Sequence, residues 1–325
     1  MSEMAVIEFA EPGGPEVMRL ARRPVPEPGP GQVLVKVTAA GVNGPDLKQR
    51  KGAYPPPPGA SDLMGLEVSG EVVALGEGAG RWKTGDRICA LTNGGGYAEY
   101  VTIDARHCLP VPEGVDEVDA AGLCETYFTV WSNIFHGHSI PEGGVFLVHG
   151  GSGGIGSTAV QLGAARGLRV FSTAGTEKGL DFIRSLGAER AINYRTEDFV
   201  EIVKEAGGAD VILDFMGGDY LPRNLAAARI DCRIVQLAFD RGIKAELNIG
   251  LLMTKRIILT GSTLRPRPPE FKATVARELE AEAWPLFKAG KLRTVTHKVL
   301  PMAEVVEAHR MLEAGGHRGK ILLKM

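Results

Sequence analysis

The stretch VHGGSGGIGSTAVQ, residues 148–161, constrains this chain more than any other. Glycine loses more conformational freedom on folding than any other residue, so a cluster of it marks tight turning or close approach to a ligand. A plain turn is the simpler alternative, and the flanks decide between the two. Upstream, VFLVHG (145–150) has the apolar texture of a buried strand. Downstream, Ile155, Ala159, Leu162 and Ala165 recur at helical spacing. Strand, glycine turn and helix in that order make a phosphate cradle. Small residues let the backbone approach a pyrophosphate, and the free N–H groups of the helix start favour its charge. Gly151, Gly154 and Gly156 stand as G-x-x-G-x-G, not the commoner G-x-G-x-x-G.

The rest of the middle of the chain alternates in the same way. A helix is expected near 124–136, then strands at 145–150, 168–174, 191–194, 210–216, 233–239 and 256–262. Thr196 is the expected N-cap of the helix that Gly207 terminates, with Glu197 and Asp198 in its first turn. Several strands are continuous apolar runs, as parallel strands covered on both faces require. The alternation over 145–262 therefore implies a Rossmann doubly wound parallel sheet with right-handed crossovers.

The first third has a different texture. VLVKVTAAGV (33–42), EVSGEVVALG (67–76), DRICAL (86–91) and AEYVTI (98–103) read as short strands between turns. YPPPP within 52–59 is an extended, semi-rigid segment, either a spacer or a structural rim. After the Pro-rich RPRPPE come a helix near 270–289, a helix ending at Gly315 and Gly316, and the strand KILLKM. That tail is too small for a domain and is expected to return to the N-terminal β region. The division expected is 1–123 with 264–325 as one discontinuous domain, and 124–263 as a nucleotide-binding domain.

A net charge of −2 and a pI near 6.4 argue against a dedicated nucleic-acid binder or a basic membrane-surface protein. No apolar run nears the ~18 residues needed to span a bilayer. The four cysteines are isolated and without C-x-x-C spacing, which suits a reducing cytoplasm. His136 and His138 lack cysteine or carboxylate partners in sequence, so no metal site is expected there.

The dinucleotide is specified at the end of the second strand. NAD sites place an acid there for the ribose 2′-hydroxyl. This chain has Ser172, Thr173, Ala174, Gly175 and Thr176, and Lys178 stands near enough to pair with a 2′-phosphate. Glu177 is the complication. NADPH is the cofactor expected.

The chain resembles the zinc-independent quinone oxidoreductases of the medium-chain dehydrogenase/reductase superfamily. The likeness rests on GVNGPDLKQRKGAYPPPPG (41–59), GLEVSGEVVALGEG (65–78), KTGDRI (83–88), GGGYAEY (94–100), HGGSGGIG (149–156), LGAERAINY (186–194) and HRGKILL (317–323). GASDLMGLE and GGGYAEY look most like the p53-inducible quinone oxidoreductase subgroup. The resemblance implies a mainly β GroES-like catalytic domain beside the Rossmann domain. Zinc-dependent relatives carry a cysteine near position 43 and G-H-E at 65–67, where this chain has Asn43 and Leu66. Leucine cannot ligate a metal and asparagine is a poor zinc ligand, so metal-free chemistry is implied.

The resemblance also implies roles. Asn43 and Thr129 would lie by the nicotinamide, and Tyr54 would flank the cleft and bond cofactor or acceptor. Asn43 and Tyr54 are the candidate catalytic residues. Ser152, Gly153, Gly154 and Ile155 would cradle the pyrophosphate, while Gly175, Lys178 and Tyr194 would hold the 2′-phosphate end. The family's lysine falls one place later, at Gly179. Tyr97 and Phe239 are the other aromatic residues expected near a cleft. The activity implied is direct hydride transfer from NADPH to a quinone. Alternatives are an enone or alkenal reductase, which needs an acid at the α-carbon, and a non-catalytic nucleotide-binding protein. RIILTGS (256–262) would leave an exposed sheet edge, implying a homodimer with a sheet continuous across it.

Overall fold

In the computed structural model, which describes residues 2–325, contacts divide the chain into two units. One comprises the residues up to Phe128 together with Arg265–Met325, and the other is Thr129–Leu264.

Unit Thr129–Leu264 holds six parallel strands. Across the sheet they run Arg190–Asn193, Arg169–Ala174, Val145–Val148, Ala209–Asp214, Ala228–Gln236 and Ile258–Gly261. Counted along the chain this is 3-2-1-4-5-6, the Rossmann order, with its switch point between the first and fourth strands. Every residue of Val145–Val148 is buried, because helices cover both faces. Leu147, Phe171, Ile192, Ile212, Leu225 and Ile234 share one core. The sixth strand is the open edge, with Ile258 and Leu259 57% and 39% exposed.

The helix expected to start at Thr196 begins later. Asp198 is the N-cap of Phe199–Glu205, its carboxylate accepting from the Val200 N–H. Glu197 instead reaches back, accepting from the Asn193 N–H at 2.7 Å and pairing with Arg190. A carboxylate immediately before the helix can bond its first N–H groups directly, so Asp198 outcompetes the threonine.

The other unit is built on a mixed sheet of order Thr296–Pro301, Lys320–Lys324, Gln32–Val42, Glu67–Leu75, Arg87–Leu91 and Cys108–Pro110, with Tyr100–Asp104 also paired to Gln32–Val42. The C-terminal strand lies antiparallel to Gln32–Val42, Ile321 opposite Val42. A hairpin of Glu3–Glu8 and Arg19–Pro24, not anticipated from sequence, adds a separate ribbon. Val35, Val68, Val72, Ile88, Ile321 and Leu323 fill the interior.

Tyr97 also belongs to that interior. It is fully buried, not near a cleft. The N–H groups of Gly95, Gly96 and Tyr97 donate to the carbonyls of Leu63, Gly65 and Met64, pulling this segment onto the core. A Cβ on Gly65, whose φ is +95°, would stand 2.6 Å from Gly96 Cα. Only glycine allows that approach.

Candidate active site

The glycine loop leaves the first parallel strand at Val148. Gly150 has φ +63°, and its N–H donates to Thr173 Oγ1. A Cβ on Gly151 would meet Ser172 Oγ at 2.0 Å, and one on Gly156 would meet the Gly150 carbonyl at 2.2 Å. Gly150, Gly151 and Gly156 are thus the positions where geometry demands glycine. They seat the helix Gly154–Ala165 tightly on the loop, with Gly153 as N-cap and no side chain capping it. The N–H groups of Ser152, Gly154 and Ile155 find no acceptor among the described residues. An uncapped helix start with several free donors fits a pyrophosphate.

The ends of the second and third strands stand beside this loop. No acid occupies 172–176; Ser172 and Thr173 are buried, their hydroxyls spent on Val148 O and the Gly150 N–H. Tyr194 lies across Gly175, where a Cβ would be 2.3 Å from the phenol oxygen. Lys178 is exposed and makes no ion pair among the described residues. Glu177 lies toward Asn193, whose Nδ2 is 3.5 Å from its Oε1. Arg195, which sequence reasoning did not single out, adds a second exposed cation next to Tyr194. These residues fit the adenosine end of a dinucleotide. Thr129 is a buried residue of the helix Cys124–Val130, its carbonyl accepting from Asn133 Nδ2 at 2.8 Å.

In the β unit, Asn43 caps the helix Gly44–Arg50 through a capping box with Asp46. Its side chain is engaged: Nδ2 donates to Glu67 Oε1 at 2.9 Å and to Gly41 O, and Oδ1 accepts from the Lys320 ammonium. Lys320 and Glu67 form a buried ion pair at 2.7 Å, and Glu67 also accepts from the Glu125 N–H. Asp46 is fully buried and pushed up to about 6, chiefly by desolvation, against hydrogen bonds from the Asn43 and Gly65 N–H groups. Behind it the buried His309 links Tyr97 to Arg50, which pairs with Glu313 at 2.5 Å. Sequence reasoning singled out no role for Lys320, Glu67 or His309; Lys320 meets Asn43 across 277 residues and His309 meets Arg50 across 259.

Tyr54 is half-buried at the start of the proline run. The Arg265 guanidinium lies 5.5 Å from its ring centroid and donates to its carbonyl at 3.3 Å. Burial, and then the Glu125 carboxylate, push its phenol above the usual tyrosine value. At neutral pH it is a hydrogen-bond donor and a weak acid.

Residues 29–113 match the alcohol dehydrogenase GroES-like domain and residues 186–323 the zinc-binding dehydrogenase family. The chain is 33% identical to a quinone oxidoreductase of Sus scrofa over 329 aligned positions, covering 99% of this chain and 97% of the relative. It belongs to the quinone oxidoreductase-like medium-chain dehydrogenase/reductases. The GroES-like β unit and the Rossmann unit described above are this superfamily's fold. Among solved structures, Escherichia coli quinone oxidoreductase complexed with NADPH superposes with a TM-score of 0.86 at 27% identity, covering 99% of this chain and all of that one. CurK enoyl reductase gives 0.86 at 26% identity, covering 99% of each chain. Like these relatives the chain is an oxidoreductase. Among the described residues no helix is long and apolar enough to cross a membrane, and no three His, Cys, Asp or Glu side chains cluster as metal ligands. At the superfamily's zinc positions this member has Asn43, held by an ammonium, and Leu66.

Proposed function

We propose that the chain is an NADPH-dependent quinone oxidoreductase that works without a metal. When bound, the reduced nicotinamide supplies the hydride. The protein's part is to hold the dinucleotide, orient the acceptor and exclude water. Ser152, Gly153, Gly154 and Ile155 hold the pyrophosphate; Gly175, Lys178 and Tyr194 hold the 2′-phosphate end. Asn43 and Thr129 are the residues assigned to the nicotinamide.

Tyr54 carries the choice of acceptor. Arg265 holds its main-chain carbonyl, and burial pushes its phenol above the ordinary value, which suits hydrogen bonding to an acceptor oxygen rather than protonating a carbon. A quinone takes the developing charge on its own oxygens and needs no such acid. The likeness to an enoyl reductase favours a second reading, reduction of an activated C=C bond.

Initial rates with NADPH against a panel of quinones and 2-alkenals separate the two. With quinones, Tyr54→Phe is expected to raise KM or lower kcat modestly. A fall in kcat of about 100-fold on an enone would instead make Tyr54 the proton donor. Efficient alkenal turnover with negligible quinone activity would overturn the quinone reading.

The exposed edge Ile258–Gly261 supports a C2 homodimer paired through that strand. Light scattering at micromolar concentration is expected to give twice the chain mass; a monomer there would refute the pairing.

A further inference from the structure

The first parallel strand is apolar through Val148, and the next residue, just before Gly150, is a histidine. His149 is fully buried, as are Asn224 and Asp214. Asn224 Nδ2 donates to Asp214 Oδ2 at 2.9 Å, and because a carboxylate only accepts, the amide oxygen is what faces His149. His149 Nε2 therefore carries the ring's proton and donates to Asn224 Oδ1 at 2.8 Å. Nδ1 is left as a bare lone pair with no partner among the described residues. Desolvation pushes the imidazole below its ordinary value, against the Asp214 carboxylate and the Asn224 hydrogen bond, and the Arg223 guanidinium adds to that push. The ring is neutral.

This trio is costly. Asp214 is a buried carboxylate that makes no ion pair among the described residues, and the His149 lone pair is unsatisfied. The rings of Phe199 and Tyr220 stand edge-on to the imidazole, with centroids 4.8 and 4.9 Å away, so an apolar side chain at 149 would fill the space without that cost. What the polar trio adds is a directed link between two segments. Asp214 Oδ1 accepts from the N–H groups of Met216 and Gly217 at 2.6 and 3.3 Å, so the link runs from the glycine loop to the turn after the fourth strand. The two segments face each other, since a Cβ on Gly150 would stand 3.8 Å from Met216 Cε. They leave the C-terminal ends of the first and fourth strands, which flank the switch point where open α/β sheets bind ligands.

We propose that His149, Asn224 and Asp214 are positioning residues for the dinucleotide, a neutral relay that fixes the glycine loop against the 214–217 turn and so presets the N–H groups offered to the pyrophosphate. The inference rests on the reading of that loop as the pyrophosphate cradle. Donors already fixed in place need no ordering when the ligand arrives, so the relay acts on affinity. Because its loop-side member stays uncharged, the loop keeps one geometry through neutral pH.

Nitrogen NMR of the full chain with labelled histidine is expected to show His149 neutral, with its proton on Nε2, between about pH 6 and 8. A proton on Nδ1, or an imidazolium, in that range would overturn the proposal. Affinity is read by fluorescence titration with whichever of NADPH and NADH the wild type binds more tightly. His149→Leu is expected to bind it about tenfold or more weakly. His149→Gln, whose amide nitrogen can take the place of the imidazole Nε2, is expected to recover most of that loss. In initial rates with 1,4-naphthoquinone, the leucine variant is expected to raise the cofactor's KM more than it lowers kcat. Asn224→Asp puts a second carboxylate against Asp214, and the link then holds only while the two share a proton. Its affinity relative to wild type is expected to fall as pH rises from about 6 to 8. A folded His149→Leu with affinity within twofold of wild type would overturn the proposal; if that variant does not fold, a pH-independent ratio for Asn224→Asp would do so. Wild type that binds neither dinucleotide would refute the cradle itself, whereas tight wild-type binding with unaffected variants would refute the relay alone.

Discussion

In the Rossmann unit the polar atoms offered to a ligand are main-chain N–H groups of Ser152, Gly154 and Ile155, and the nearby side chains are glycines that stay out of the way. In the β unit the polar groups are the side chains of Asn43, Lys320, Glu67, Asp46, Arg265 and Lys272, all buried and bonded to one another, to main-chain groups or to neighbouring amides. One half is built from local backbone shape, the other from charges assembled from distant parts of the chain. The two should therefore fail differently when a single residue is changed.

The backbone-built site should fail most completely. A Cβ at Gly156 would stand 2.2 Å from the Gly150 carbonyl and 2.7 Å from Gly151 Cα, both main-chain atoms that cannot swing aside. Gly156→Ala must push the helix off the loop. We expect NADPH affinity to fall by more than about 100-fold and unfolding free energy by about 3 kcal/mol, the upper range for overpacking. Fluorescence titration and urea unfolding measure the two. Normal binding in this variant would mean that the loop is not the cradle.

The side-chain site should fail through charge. Lys320→Met leaves Glu67, fully buried, without its cation. Breaking one side of a buried pair costs about 3–5 kcal/mol, because the survivor is an uncompensated charge. Adding Glu67→Gln removes that charge, so the double variant should regain more than half of the loss in urea unfolding. Equal losses in single and double variants would show that packing, not charge, holds this cluster.

The same contrast explains what the sequence disclosed. Strand, glycine turn and helix are contiguous, so that turn and the parallel sheet followed from periodicity and glycine placement. The acid-free end of the second strand was equally legible. Lys320 meets Asn43 across 277 residues and His309 meets Arg50 across 259, and no local pattern encodes such pairings. Tyr97 was misread for a related reason. GGGY looks like a mobile loop, yet its N–H groups are bonded to the backbone of 63–65, which turns the ring inward. Asp198 displaced Thr196 as cap because two acids compete within one short turn, a choice that depends on where Arg190 and the Asn193 N–H draw Glu197.

The smallest expected effect concerns Lys178, the cation we assign to the cofactor's 2′-phosphate. Position 179, where the family carries its lysine, is crowded here: a Cβ would lie 3.1 Å from Ala174 Cβ and 3.2 Å from Thr176 Oγ1. The Gly179 N–H is also the donor to the Thr176 cap. The neighbouring Lys178 is exposed and makes no ion pair among the described residues. An exposed cation facing a phosphate is screened by salt, so its contribution is modest. Lys178→Ala is expected to weaken NADPH by about 1–2 kcal/mol at low ionic strength and to leave NADH within about twofold. The difference should shrink as salt rises. Gly179→Lys in the Lys178→Ala background should not restore it, since the new Cβ must first displace the capping threonine. Equal losses for both cofactors would move Lys178 out of the 2′-phosphate site, and full rescue by Gly179→Lys would show that the crowding at 179 is relieved at no expense.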